Sequence, residues 1–92
     1  MDEAVRKEIS FAGRVQGVGF RYSARSLARG FAVTGYVKNM PDGSVELVAE
    51  GAPGEVEQFV SALKARMAGY IESADEETSP PAGRFRGFEI AF

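Results

Sequence analysis

The hydrophobic positions near the start of the chain change from a period of two to a period near 3.6. The first pattern is typical of a strand with one buried face, whose inward positions are Ile9, Phe11, Gly13 and Val15. After a glycine-rich interruption, apolar residues return at helical spacing and form one stripe, consisting of Phe20, Ala24, Leu27, Ala28 and Phe31. The sequence therefore predicts a strand, a turn and an amphipathic helix.

The middle of the chain predicts a hairpin. Residues 33–38 are rich in β-branched and aromatic side chains, and residues 44–50 alternate, with Val45, Leu47 and Ala49 on one face. Between them, residues 40–43 place proline and glycine where a tight turn favours them.

A second helix, a weakly patterned segment, a break in the chain and a final strand account for the rest. The helix opens at Pro53 and stops near Gly69, with a buried stripe formed by Val56, Phe59, Val60, Leu63 and Met67. Residues 70–78 include the acidic run 75–77, which favours a frayed or edge strand. Prolines and glycine break the chain at 80–83, and a last strand is predicted by the alternation of Phe88, Ile90 and Phe92.

The order β-α-β-β-α-β, with a C-terminal strand added, favours an α/β (α+β) ferredoxin-like sandwich over residues 1–92 as a single domain. A mainly antiparallel sheet would carry two helices on one face. In this topology the first and second strands run in the same direction. We therefore expect the loop 16–20 and Asn39 to share one rim of the sheet.

Composition excludes several kinds of chemistry. The chain has no Cys and no His, so thiolate catalysis, disulfides and imidazole acid–base steps are excluded. No carboxylate cluster has metal-ligand spacing, and we expect neither a metal nor a cofactor. No secretory leader or membrane-spanning run is recognisable, which leads us to expect a cytoplasmic protein with no membrane partner.

Charge is distributed unevenly along the chain. Residues 9–41 contain five basic side chains and no acidic one, although the whole chain has a net charge of −2. A local positive region on an acidic protein suits a phosphate-sized anion better than a nucleic acid, which the acidic remainder would repel. Arg25 and Arg29, taken individually, are assigned to the solvated surface.

The loop Gln16-Gly17-Val18-Gly19-Phe20-Arg21 leads from a strand into a helix N-terminus. Glycines let the backbone approach a ligand, free first-turn N–H groups bind anions, and the Arg21 guanidinium matches phosphate oxygens. On spacing alone, a tight turn followed by an exposed arginine is an equally good interpretation. Asn39, beside the predicted turn, is by itself more typical of a structural turn residue.

Two segments of the chain resemble the acylphosphatase family. Its G-x-V-Q-G-V-x-F-R signature is present as Gly13 through Arg21, and its second, glycine–aromatic signature as Gly35 through Asn39, followed by Gly43-Ser44-Val45 and Gly51. The similarity extends over nearly the whole chain. Ala32 departs from the glycine usual there, while Gly30 lies two residues earlier, which suggests a shifted end of the first helix.

The resemblance implies hydrolysis of a carboxyl–phosphate mixed anhydride to a carboxylate and inorganic phosphate. It implies that Arg21 and the backbone N–H groups from Gln16 to Phe20 bind the phosphoryl group, while Asn39 holds the attacking water. Phosphate or sulfate would occupy the same loop, and a monomer without nucleic-acid partners is expected. Two other functions stay open: a ferredoxin-like module that binds RNA, and a domain that senses anions without turnover.

Overall fold

The computed structural model describes residues 3–92. Its elements, in chain order, are β1 (Val5–Gly13), α1 (Phe20–Ala28), β2 (Val33–Asn39), β3 (Val45–Gly51), α2 (Pro53–Arg66), β4 (Ile71–Ser79) and β5 (Phe88–Ala91). This order confirms the predicted ferredoxin-like sandwich with an added strand. No helix within residues 3–92 combines the length and the apolar character that a membrane crossing requires.

The strands form one sheet in the order β4-β1-β3-β2-β5. Among the described strands, β2 and β5 are parallel and the other neighbours are antiparallel. Because β1 and β2 both run antiparallel to β3, they point the same way and end on the same rim. Phe11 and Asn39 flank Val45 on either side, so the two strand ends lie two strand spacings, about 10 Å, apart.

Both helices pack against one face of the sheet, where the predicted apolar stripes are buried. The stripe of α2 is confirmed over its whole length. The stripe of α1 is confirmed as a packing surface, but the helix ends at Ala28, three residues before Phe31. After Ala28 the chain forms a tighter turn, in which the N–H of Gly30 donates to the carbonyl of Leu27 and the N–H of Phe31 to that of Ala28, three residues earlier in each case. Phe31 still contacts the core through the ring of Phe59, 6.1 Å away.

Two other predicted boundaries are wrong by a few residues. β1 begins at Val5 rather than near Ile9. The prediction began late because charged side chains hide the alternation in this part of the strand; one of them, Lys7, donates from Nζ to Oε1 of Glu57 at 2.5 Å. α2 ends at Arg66 rather than near Gly69, since the carbonyl of Met67 already accepts the N–H groups of the following turn. The hairpin turn is as predicted, with Gly43 at a φ of +93°.

The segment predicted as a frayed or edge strand is a regular edge strand. β4 pairs with β1 from Arg6 to Gly13, with one register shift at Ala12/Gly13. Most of its side chains are exposed, including Asp75, Glu76 and Glu77. Charged side chains on an exposed edge discourage pairing with another chain.

The opposite face of the sheet is crossed by residues 80–87, which connect β4 to β5. Phe85 packs 5.9 Å from the ring of Tyr36, and Val48 beneath this segment is fully buried. Glu50, only 4% exposed, accepts hydrogen bonds from the backbone N–H groups of Ala82 and Gly83. We call residues 80–87 the strap, because they cross the face of the sheet opposite the two helices.

Candidate active site

The loop between β1 and α1 has the backbone shape of an anion cradle. Gly17 and Gly19 adopt φ values of +76° and +80°, which favour glycine, and Gly19 is the N-cap of α1. No side chain of the described residues caps this helix, and its first turn contains no acidic residue. The N–H groups at the helix start are therefore available to an anion.

Buried side chains hold both ends of this loop. Val15 is fully buried and Phe20 is 2% exposed, and the ring of Phe20 lies 5.0 Å from that of Phe11. A loop with both flanking residues in the core has little freedom to move. The cradle is thus preorganised, which reduces the cost of binding an anion.

Gln16 joins the cradle to the β2–β3 hairpin. Its side-chain Nε2 donates to the carbonyl oxygens of Met40 at 2.8 Å and Ser44 at 2.9 Å. The hairpin is itself ordered by Asp42, whose carboxylate accepts hydrogen bonds from the hydroxyl and the N–H of Ser44. The hydroxyl of Ser44, and then its backbone N–H, hold the pKa of Asp42 below its ordinary value.

Asn39 ends β2 at the rim and carries an unsatisfied polar atom. Its Oδ1 is buried and has no hydrogen-bond partner. It is the only buried side-chain nitrogen or oxygen in residues 3–92 without one. A buried acceptor without a partner costs about 1–3 kcal/mol. An acceptor without a partner among the described residues is suited to accept a hydrogen bond from a small bound molecule.

Arg21 lies in the first turn of α1, where it has no counter-ion within residues 3–92. No carboxylate of the described residues lies within salt-bridge range of its guanidinium. Its Cζ lies 5.3 Å from the ring centroid of Phe92, within range of a cation–π contact. Because the helix N-terminus is also positive, an anion here would balance two like charges.

A cavity of about 200 Å³ brings these groups together. Of the residues that the sequence singled out, Gly17, Gly19, Phe20, Arg21 and Asn39 line it. The side chains of the other two point elsewhere: Gln16 to the hairpin and Val18 to the core. The expected juxtaposition of the loop with Asn39 at one rim is therefore present.

The sequence model of the acylphosphatase family matches residues 7–90. The chain belongs to the acylphosphatase family. An acylphosphatase of Paenarthrobacter aurescens is 42% identical over 97% of this chain and 96% of its own length. An acylphosphatase of Roseiflexus sp. is 41% identical over 98% of both chains. These matches confirm the predicted resemblance and the enzyme class, a hydrolase acting on acid anhydrides.

Solved structures confirm the fold. The crystal structure of the acylphosphatase from Bacillus subtilis superimposes with a TM-score of 0.85 at 32% identity. The alignment covers 96% of this chain and 99% of that one.

The cleft of this acylphosphatase is also lined by three residues for which the sequence predicted no role in a site. Tyr22, Ile90 and Phe92 line the cavity beside the cradle. Tyr22 could have been noticed as an aromatic residue on the polar face of α1. Phe92 could not, because only the parallel pairing of β5 with β2 brings it to this rim.

A larger cavity on the strap side of this acylphosphatase sheet has the opposite electrostatic character. Its lining includes Glu8, Asp42, Glu46 and Glu77. Such a surface repels a phosphoryl group, in contrast to the smaller cleft, which Arg21 lines. The described residues contain no group of three carboxylates able to hold a metal ion.

Proposed function

We propose that this enzyme hydrolyses acyl phosphates to a carboxylate and inorganic phosphate, with Arg21 and the cradle binding the phosphoryl group and Asn39 holding the attacking water. The observation that carries the proposal is the unpartnered, buried Oδ1 of Asn39, a residue that lines the same cavity as Arg21 and the loop glycines. A single chain supplies all of these residues, so the proposal requires no second copy.

The phosphoryl group fits the cradle by charge and by donor geometry. The backbone N–H groups of the loop and the first turn of α1, together with the guanidinium of Arg21, can donate to its equatorial oxygens. In the transition state of phosphoryl transfer, charge is spread over these oxygens. Donors fixed in advance stabilise that charge without having to reorganise.

The attacking water fits Asn39. Its Oδ1 accepts one hydrogen bond from the water and thereby fixes the direction of the remaining lone pair toward phosphorus. The new bond forms between the water oxygen and phosphorus, the bond between phosphorus and the acyl oxygen breaks, and the electron pair leaves with the carboxylate. Both protons of the water stay with the phosphate, which leaves as dihydrogen phosphate. A carboxylate is a good leaving group, so the reaction needs no general acid. This agrees with a chain that has no His.

The test measures phosphate release from benzoyl phosphate and acetyl phosphate. We expect Arg21→Ala and Asn39→Ala each to lower kcat/KM by about 10²–10³ or more, as loss of one transition-state donor does elsewhere. Arg29→Ala, an exposed arginine just after the same helix, is the matched control and should keep the wild-type rate. We expect a chelator to leave the rate unchanged.

Competitive inhibition by inorganic phosphate separates the two roles. Asn39→Ala should keep the wild-type inhibition constant while losing turnover, whereas Arg21→Ala should weaken both. Wild-type rates in both variants would refute the mechanism. Phosphate binding without hydrolysis in the wild-type protein would instead favour an anion-sensing domain, and salt-sensitive RNA binding would favour the RNA-binding module.

A further inference from the structure

Two aromatic side chains at the mouth of the cleft are conspicuously exposed. Tyr22 is 67% and Phe92 94% exposed, and they are the only large hydrophobic residues in the described part of the chain with such exposure. Both line the cavity that holds Arg21 and Asn39. Apolar surface concentrated beside a polar cleft is typical of a binding site rather than of random surface composition.

The fold brings these two rings to the cleft from two different elements, α1 and the end of β5. Tyr22 follows Arg21 on α1 and points away from the buried stripe. Ala91 of β5 pairs with Lys38, so Phe92 follows at the level of Asn39. The wall between them is apolar and includes Val15 and Ile90.

Resting on the proposed function, we propose that Tyr22 and Phe92 form the acyl-group subsite, and that this subsite selects uncharged acyl phosphates with an aromatic or bulky apolar acyl group. With the phosphoryl group against the loop N–H groups, the acyl group of the same molecule must project toward the mouth of the cleft. There it meets two rings that offer planar apolar surface.

The charges around the cleft favour an uncharged acyl group. Of the described residues that line the cavity, Arg21 alone is charged, and the phosphoryl group would engage its guanidinium. The next arginine of α1, Arg25, is in contact with the ring of Tyr22, with its Cζ 5.2 Å from the centroid. An anionic acyl group would therefore find no further cation in the cavity wall, whereas an aromatic one would bury apolar surface on both rings.

The experiment compares kcat/KM for benzoyl phosphate and acetyl phosphate in the wild type, Tyr22→Ala, Phe92→Ala and the double variant. We expect the wild type to prefer benzoyl phosphate, and each single variant to lower that ratio by about tenfold, mainly through KM. Tyr22→Phe and Phe92→Tyr keep the rings and are the matched controls, which should retain the preference.

Inhibition by benzylphosphonate and methylphosphonate supplies a second readout that needs no turnover. The preference for the benzyl compound should fall in the same variants. An equal loss for both substrates would mean that Phe92 serves only to position Arg21, and an unchanged ratio would mean that the rings do not contact the acyl group. Either result overturns the subsite while leaving the proposed function standing. If the wild type hydrolysed neither benzoyl phosphate nor acetyl phosphate, the subsite and the proposed function would both be overturned.

Discussion

At the scale of single residues, the glycines of the two family signatures serve different purposes. Those of the loop have open space around the position of a side chain: a Cβ at Gly17 or Gly19 would meet no atom within 4 Å. Gly35 in β2 has a φ of +141° and, in addition, a Cβ there would lie 1.9 Å from the carbonyl oxygen of Val48. The loop glycines are needed for their backbone angles, and Gly35 for its backbone angle and for the close approach of two strands.

Alanine substitutions should show how much the close approach at Gly35 adds to the cost of a positive φ. We expect Gly35→Ala to lower the free energy of unfolding by about 3 kcal/mol or more, because the β2–β3 pairing must distort to admit a methyl group. Gly17→Ala and Gly19→Ala should each cost about 1–2 kcal/mol, the strain of a positive φ. Urea unfolding monitored by circular dichroism measures all three.

Gly54→Ala is the control for this series. Gly54 lies in the first turn of α2 with open space around it, so alanine there should be neutral or stabilising by up to about 1 kcal/mol. If Gly35→Ala were no more destabilising than Gly17→Ala, the close contact with Val48 would not be limiting.

At the scale of elements, the candidate site depends on the relative position of a loop and a hairpin that are distant in sequence. The β1–α1 loop provides the cradle, and the end of β2 provides Asn39. Their link is the carboxamide of Gln16, which donates to two carbonyl oxygens of the hairpin. The resemblance assigned Gln16 to the substrate through its backbone, whereas its side chain joins the two halves of the site.

Breaking this link should affect turnover more than anion binding. Gln16→Ala removes both hydrogen bonds, and we expect kcat to fall about tenfold, since a misplacement of about 1 Å can cost up to 10² in rate. The inhibition constant of phosphate should change less than threefold, because the cradle and Arg21 stay in place. Steady-state kinetics with phosphate as inhibitor measure both quantities.

Two further variants test whether the link acts by position. Gln16→Glu places a carboxylate against the carbonyl oxygens of Met40 and Ser44, and should lower kcat further than Gln16→Ala. Ser26→Ala, at an exposed position of α1, should leave kcat unchanged. Parallel losses of kcat and phosphate affinity in Gln16→Ala would indicate that the cradle itself collapses.

At the scale of the whole molecule, the side chain of Glu50 ties the strap to the centre of the sheet. It lies on β3, forms an ion pair with Arg6 of β1 at 3.0 Å, and accepts two N–H groups of the strap. Burial opposes its ionisation, but the hydrogen bonds from Ala82, Gly83 and Arg6 outweigh burial and keep the pKa of Glu50 below its ordinary value.

The lowered pKa sets the direction of the pH dependence. Stability from this group is complete above the pKa of a glutamate in the unfolded chain and is lost as the pH falls through the lower pKa of the folded state. We expect Glu50→Gln to lower the free energy of unfolding at pH 7 by about 2–4 kcal/mol, since glutamine offers Arg6 and the strap one acceptor oxygen instead of two and no negative charge. It should also flatten the decline in stability between about pH 5 and pH 3.

Thermal and urea unfolding across this pH range measure the effect. Glu72→Gln, at an exposed position of β4, controls for the loss of one negative charge. An equally steep acid decline in Glu50→Gln and in the wild type would show that other carboxylates determine it.

The sequence by itself determined the element order, the two helical stripes and the glycine-rich cradle, because periodicity and turn chemistry are local properties. Element ends were less certain: Phe31 keeps the helical spacing after the helix has ended, and charged residues conceal the start of β1. The resemblance, confirmed by the family match, provided the enzyme class that the residues alone left open.

The tertiary structure decided which distant residues meet. Parallel β1 and β2 on either side of β3 bring the cradle and Asn39 to one rim, an arrangement that the predicted topology already implied. The Gln16 link, the strap over Glu50 and the rings of Tyr22 and Phe92 at the cleft were not predictable. Each depends on strand register and on side-chain contacts between remote segments, which no local pattern encodes.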